Sequence, residues 1–196
     1  IFVFIGITFW DFFNKCLIQS VKLIKANKPI VSKVYIPKFI LILVKIGVNG
    51  FKMFISLLII VAMLAVWRVP ITYNVIYIIP ILMTLIVLVF GFSCYLLHYG
   101  VFVEDLSNVL NIALRFLFYL TGIFWSIMDR LPAPYNSYIG RCNPIAFLLT
   151  SARDCVIYGS TPHRKLLLLW FVIGLIISAL GVRKIYKNEN SYVKVI

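Results

Sequence analysis

The chain has 196 residues, 63% of them hydrophobic and only 13% charged, with a formal net charge of +13. With a mean hydropathy of +1.03, it cannot be an ordinary soluble domain and reads as an integral membrane protein. The positive charge does not point to nucleic acid. Lys and Arg cluster beside apolar runs, where anionic headgroups and phosphate-bearing lipids are the natural counter-charges.

A helix crossing the bilayer needs about 20 apolar residues, and the apolar runs supply about five such spans. The expected fold is therefore an all-α integral membrane bundle. The sequence opens at Ile1 inside an aromatic, apolar run, with no Met and no signal-peptide pattern, so an N-terminally truncated chain is expected.

Residues 1–25 make the first span. Asp11, Lys15, Gln19 and Lys22 recur at helical spacing, giving one polar side that should face a protein interior or an aqueous path. An amphipathic surface helix is the alternative; the aromatic belt Phe9-Trp10-Asp11-Phe12-Phe13 favours the span. Residues 26–38 follow as a basic loop. Lys25, Lys28, Lys33 and Lys38 place it on the cytoplasmic side, and Pro29 and Pro37 leave room for only a short turn or helix between them. Such a loop serves either as a topology anchor or as a docking element for a soluble partner.

Residues 39–66 form the next span. Lys38, Lys45, Asn49, Lys52 and Ser56 fall on one narrow stripe at 100° per residue. Lys38 should snorkel to the membrane edge, whereas Lys45 and Lys52 lie deeper. Two uses are open: a path for a phosphate-bearing substrate, or pairing with carboxylates, of which Asp11 alone is expected within a span.

Trp67-Arg68-Val69-Pro70 reads as an outer turn with an interfacial Trp. Residues 75–97 then return, with Tyr73, Tyr77, Pro80, Thr84, Gly91, Tyr95 and His98 on one face. That face suits close helix packing through its small residues, or stacking of Tyr rings on sugars. In the cytoplasmic loop 98–108, Glu104 and Asp105 beside His98 suggest acid–base chemistry or a metal site. The simpler account is that Asp105 and Ser107 cap the following helix.

Residues 109–127 make a span interrupted by Asn111 and Arg115, with Gly122 on nearly the same face. An in-span Arg should face the bundle interior, lining a path or pairing with Asp11 or a helix-end carbonyl. Residues 128–165 are too polar and proline-rich for a simple span. Asn143-Pro144 is an N-cap followed by proline in the first turn, and residues 148–158 read as a short helix ending at Gly159. Residues 166–185 are the last span, and the basic residues at its end place the tail 186–196 in the cytoplasm. Of the four cysteines, only Cys142 and Cys155 share an outer segment, and their spacing does not establish a disulfide.

Four pieces carry a family resemblance. Lys33-Val34-Tyr35-Ile36-Pro37-Lys38 is similar to the K-K-V-Y-F-P-R signature between the second and third spans of polysaccharide-type ABC exporter permeases, and Phe9-Trp10-x-Phe12-Phe13 looks like the aromatic entry to the second span. Residues 101–106 resemble the V-Y-F-R-D-V of that family, with Glu104 replacing the usual Arg. Asn143, Pro144 and Arg153 match its N-P-(x)-E-A-Y-R segment, with Thr150 where Glu is usual and Gly122 where a Pro is common. The resemblance covers residues 10–196.

It implies a six-span subunit in a bacterial cytoplasmic membrane, with short outer re-entrant helices before the last span. It also implies a second copy of the chain and a separate ABC ATPase subunit that carries ATP and Mg. Lys28, Ile30, Val31, Lys33, Val34 and Tyr35 would then form the coupling helix on that ATPase. The candidate translocation path is Lys45, Asn49, Lys52, Tyr77, Asn111 and Arg115, taking a lipid-linked glycan. No cofactor, metal or catalytic residue is expected in this chain, which has no Walker, metalloprotease or serine-hydrolase motif. The alternatives are a permease for a small lipophilic drug, and a membrane-embedded enzyme using His98, Glu104 and Asp105.

Overall fold

The computed structural model describes residues 1–31, 37–70, 72–126, 140–189 and 192, with the backbone alone at 30 and 31. All regular elements among the described residues are helical, as expected where each segment must satisfy its own backbone polar groups in hydrocarbon. They are α1 (Phe2–Val21), α2 (Leu23–Ala26), α3 (Lys28–Val31), α4 (Lys38–Val66), a 3-10 turn (Tyr73–Tyr77), α5 (Ile78–Phe102), α6 (Leu106–Leu120), α7 (Pro144–Val156) and α8 (Arg164–Lys187).

Four of these stretches are long and apolar enough to cross a membrane: α1, α4, the turn with α5, and α8. The fifth expected span, 109–127, is helical from Leu106 only to Leu120, 15 residues, or about 22 Å of rise against a hydrocarbon core of about 30 Å. It ends where Gly122 takes a left-handed φ of 67°, which stops an α-helix. At the other end the backbone between α5 and α6 is only 103–105, because α5 continues to Phe102.

Asp105 occupies the N-cap position of α6, but its carboxylate makes no capping bond. Its φ and ψ of −84° and 3° lie outside the extended region from which a capping side chain reaches the first amides. Its carbonyl instead accepts from Asn108 and Val109 at 2.9 and 3.1 Å. Asn143 does cap as expected, its Oδ1 accepting from the amides of Ile145 and Ala146 at 3.1 and 3.3 Å. With Pro144 in the first turn, α7 starts four residues before the expected 148 and stops at Val156; Gly159, at φ 63°, then turns the chain. Cys142 and Cys155 are both free thiols, the first exposed and the second buried.

Helix α5 is the centre of the bundle, packed along α8 and against α1, α4 and α7. The face that carries Thr84, Gly91 and His98 is used for packing: all three are buried. Ser178 of α8 donates to the Val87 carbonyl of α5 at 3.0 Å, and a Cβ on Gly181 would come within 2.7 Å of the Cβ of Cys94. Small residues here let two spans approach closely enough for dispersion and a side chain to backbone bond to hold them without a hydrophobic driving force.

Gly181→Val should therefore lower stability by roughly 1–3 kcal/mol through overpacking, read as a lower thermal unfolding midpoint in detergent. Gly47→Ala, where a Cβ meets nothing within 4 Å, should not lower the midpoint, since Ala favours the helix over Gly.

Candidate functional site

Helix α1 has the lowest hydropathy of the four candidate spans, yet it is the most buried of them. Its aromatic residues explain this, since Phe9, Phe12 and Phe13 pack into the core with Cys16 and Leu17. The opposite face keeps Asp11 and Lys15 paired with each other one turn apart, both about half exposed. Helices α4 and α6 each pack against α1, so this polar face lies between two walls.

Against α4, Asp11 and Lys15 line a small hollow of about 100 Å³ with Asn49, Lys52 and Ser56. Around the helix, Trp10 and Asn14 line a larger hollow of about 540 Å³ with Asn111, Arg115, Phe118 and Tyr119. Aromatic faces, carboxamides and a guanidinium therefore share one lining. These groups stack on apolar sugar faces, bond to hydroxyls and hold phosphate.

The stripe on α4 runs along the edge of the face that buries Ile42, Ile46, Met53, Ile60 and Leu64. Its members consequently differ. Asn49 is buried, donating Nδ2 to Gln19 Oε1 at 3.0 Å and to Cys16 Sγ at 3.5 Å, while its Oδ1 has no partner among the described residues. Lys52 is exposed at the hollow, and Lys45, two turns before it, is half-buried. Asp11 is already engaged by Lys15, and Lys45, Lys52 and Arg115 form no ion pair among the described residues. Pairing of Arg115 with Asp11, one of the expected alternatives, is thus not what the structure shows.

Tyr77 does not join this group. It stands in a separate hollow between α5 and α8, under the guanidinium of Arg164, whose Cζ is 5.1 Å from its ring centroid. Of the expected coupling residues, Lys28 is exposed at the start of α3, and the backbone of Ile30 and Val31 completes that single turn. Lys33, Val34 and Tyr35 lie outside the described residues.

The residue that ends the basic loop is held firmly. Lys38 does not snorkel outward; its side chain is 3% exposed and its Nζ lies 2.9 Å from Glu189 Oε1 in the tail. Phe39 packs on Tyr186, ring centroids 5.7 Å apart. Tyr192, fully buried, puts its hydroxyl 2.8 Å from His98 Nδ1. Burial, with Glu189 and Cys94 nearby, pushes the Tyr192 hydroxyl up to about 12, so it stays protonated beside the imidazole, and the His98 tautomer sets which of the two donates. His98 is thereby engaged in the packing of the tail, while Glu104 and Asp105 are exposed in the α5–α6 connection. The three are not gathered into an acid–base centre.

Arg153 of α7 is a buried cation that the sequence pattern marked without explaining. It donates to three carbonyls: Nε to Phe2 at 3.2 Å, Nη1 to Gly122 at 2.9 Å and Nη2 to Ile123 at 2.7 Å. Its Cζ also lies 3.5 Å over the Phe2 ring. Burial lowers its pKa to about 10, against the opposing fields of Tyr158 and Asp154, so it stays charged at neutral pH. The side chain staples the start of α1 to the turn that ends α6. Neighbouring Asp154 has its pKa raised by burial, opposed by Arg153 and His163.

The fold and these groups define a multi-span, all-α membrane protein whose polar residues line hollows beside one helix. No family model matches the chain. It is similar to two O-antigen export system permease proteins RfbA from Klebsiella pneumoniae, 23% and 22% identical over 197 aligned positions, taking in 100% of this chain and 75% of each relative.

Arg153→Met should destabilise the bundle by about 3 kcal/mol or more, because each carbonyl left without a donor costs about 1–3 kcal/mol. Arg153→Lys should recover only part of this, since an ammonium is a point charge and cannot span three acceptors as a planar fork does. Thermal unfolding of both variants in the same detergent measures the difference.

Proposed function

We propose that the chain is a membrane permease subunit of an ATP-driven exporter, carrying a lipid-linked polysaccharide or teichoic-acid-like polymer across the bacterial cytoplasmic membrane. The observation that carries this reading is the polar lining on both flanks of α1. Lys52 and Asn49 stand on one side, Asn111 and Arg115 on the other, with Trp10, Phe118 and Tyr119 beside them. Similarity along the whole chain to two O-antigen export permeases supports it. A small lipophilic drug would require a more apolar lining.

In this reading the chain does no covalent chemistry. Arg115 and Lys52 hold the phosphate of the lipid carrier, and the aromatic rings stack on sugar faces. ATP and Mg belong to a partner ATPase, docked on the loop that contains Lys28, Ile30, Val31, Lys33, Val34 and Tyr35, and two copies of the chain form the pathway. Lys45 contributes charge one turn from the hollow. Tyr77, on the other side of the bundle, is left out of the path.

The test is reconstitution with a candidate partner ABC ATPase. Loss of a charge-assisted hydrogen bond to phosphate is worth about 1.5–3 kcal/mol, so Arg115→Lys and Lys52→Gln should weaken substrate stimulation of ATP hydrolysis by about tenfold or more, and lower it more than the basal rate. Lys52→Cys and Arg115→Cys, each with exposed Cys142→Ser, should react with aqueous thiol reagents and be protected by substrate. Normal transport by the first pair, with no labelling of the second pair in any nucleotide state, would place the path elsewhere.

A further inference from the structure

We propose that the hollow between α5 and α8 is a binding site for one anionic phospholipid of the surrounding membrane, with an acyl chain in the hollow and the phosphate on Arg164 and Lys165. The hollow measures about 460 Å³, and its walls are almost wholly apolar, built from Ile79, Pro80, Met83, Leu168 and Phe171. The polar atom that could have wetted it is turned away, because Thr84 Oγ1 donates to the Pro80 carbonyl at 2.8 Å. Ile79, Met83 and Leu168 are 62%, 57% and 65% exposed on two helices that are long and apolar enough to cross the membrane. The hollow therefore opens sideways into hydrocarbon.

The head of the site is basic. Arg164 and Lys165 are the first two residues of α8, which places them at one membrane surface at the end of the apolar hollow. Tyr77 holds Arg164 at the rim through the cation–π contact, 5.1 Å to the centroid. Arg164, Lys165, His163 and Thr161 also line an adjoining hollow of about 510 Å³. Neither Arg164 nor Lys165 has an ion-pair partner among the described residues. Asp154 is the carboxylate whose field meets His163, and burial raises its pKa. A fixed guanidinium at the rim of an acyl-sized apolar slot, with the ammonium of the next residue lining the adjoining hollow, matches a phosphodiester on two hydrocarbon tails. With two unneutralised charges, the site selects a net anionic headgroup over a zwitterionic one. This holds whether or not the chain exports a glycan.

The test is native mass spectrometry of the purified chain titrated in detergent with phosphatidylglycerol or phosphatidylcholine. The wild type should retain one phosphatidylglycerol in preference to phosphatidylcholine. At about 1 kcal/mol for each basic residue near a membrane surface, removing each charge should cost about fivefold in affinity, so Arg164→Gln with Lys165→Gln should abolish the preference. Met83→Trp, which fills the hollow and leaves the charge intact, should lower retention of both lipids, with thermal unfolding checking that each variant is folded. Unchanged preference in the double variant overturns the proposal. So does displacement of phosphatidylglycerol by equimolar undecaprenyl pyrophosphate, which would make the hollow a substrate site, or efficient disulfide dimerisation through Leu168→Cys, which would make it a contact between copies.

Discussion

An ionised side chain within a bilayer persists only where protein, water or an opposite charge receives it, and α1 puts Asp11 and Lys15 one turn apart in the middle of a span. That constraint orders the helices around it. The aromatic face of α1 is buried in the bundle, and the polar face is kept beside α4 and α6, whose own polar groups, Lys52 and Arg115, line separate hollows on its two flanks. The carboxylate is satisfied by its near neighbour, which leaves the remaining cations available for a ligand.

The rest of the bundle is held by contacts suited to an apolar solvent. Lipid tails are as apolar as Leu, so helix association rests on close approach and internal polar bonds. Gly181 and Ser178 bring α8 against α5; Asn49 ties α4 to α1 through Gln19; Arg153 ties α7, α1 and the end of α6 through backbone carbonyls. Each contact joins elements distant in sequence by one or a few directional bonds. The bundle is accordingly sensitive to single substitutions at these points and tolerant on its outward apolar faces.

Span positions could be read from the sequence because hydropathy over about 20 residues is a bulk property. Asn143 was readable as a cap because capping depends on local spacing. The stripe of Lys45, Asn49 and Lys52 was readable as one face for the same reason, but its division into a buried amide and an exposed ammonium depends on where α1 packs. Tyr77 shares a helical face with Thr84 and Gly91, and periodicity could not tell that its end of the face looks away from α1. The Lys38–Glu189 pair and the Tyr192–His98 bond join residues 151 and 94 positions apart; a lone acid in a basic tail was the available signal. The shortness of α6 depends on a left-handed Gly122, which hydropathy does not register.

The tail contact gives α4 a mechanical character. As a continuous helix of 29 residues, α4 is a rod about 43 Å long, and its first residues, Lys38 and Phe39, are fastened to Glu189 and Tyr186. A tilt of about 10° about that point would carry the Trp67 end through about 7 Å, and the Asn49–Gln19 bond, which ties the middle of the rod to α1, resists such a tilt.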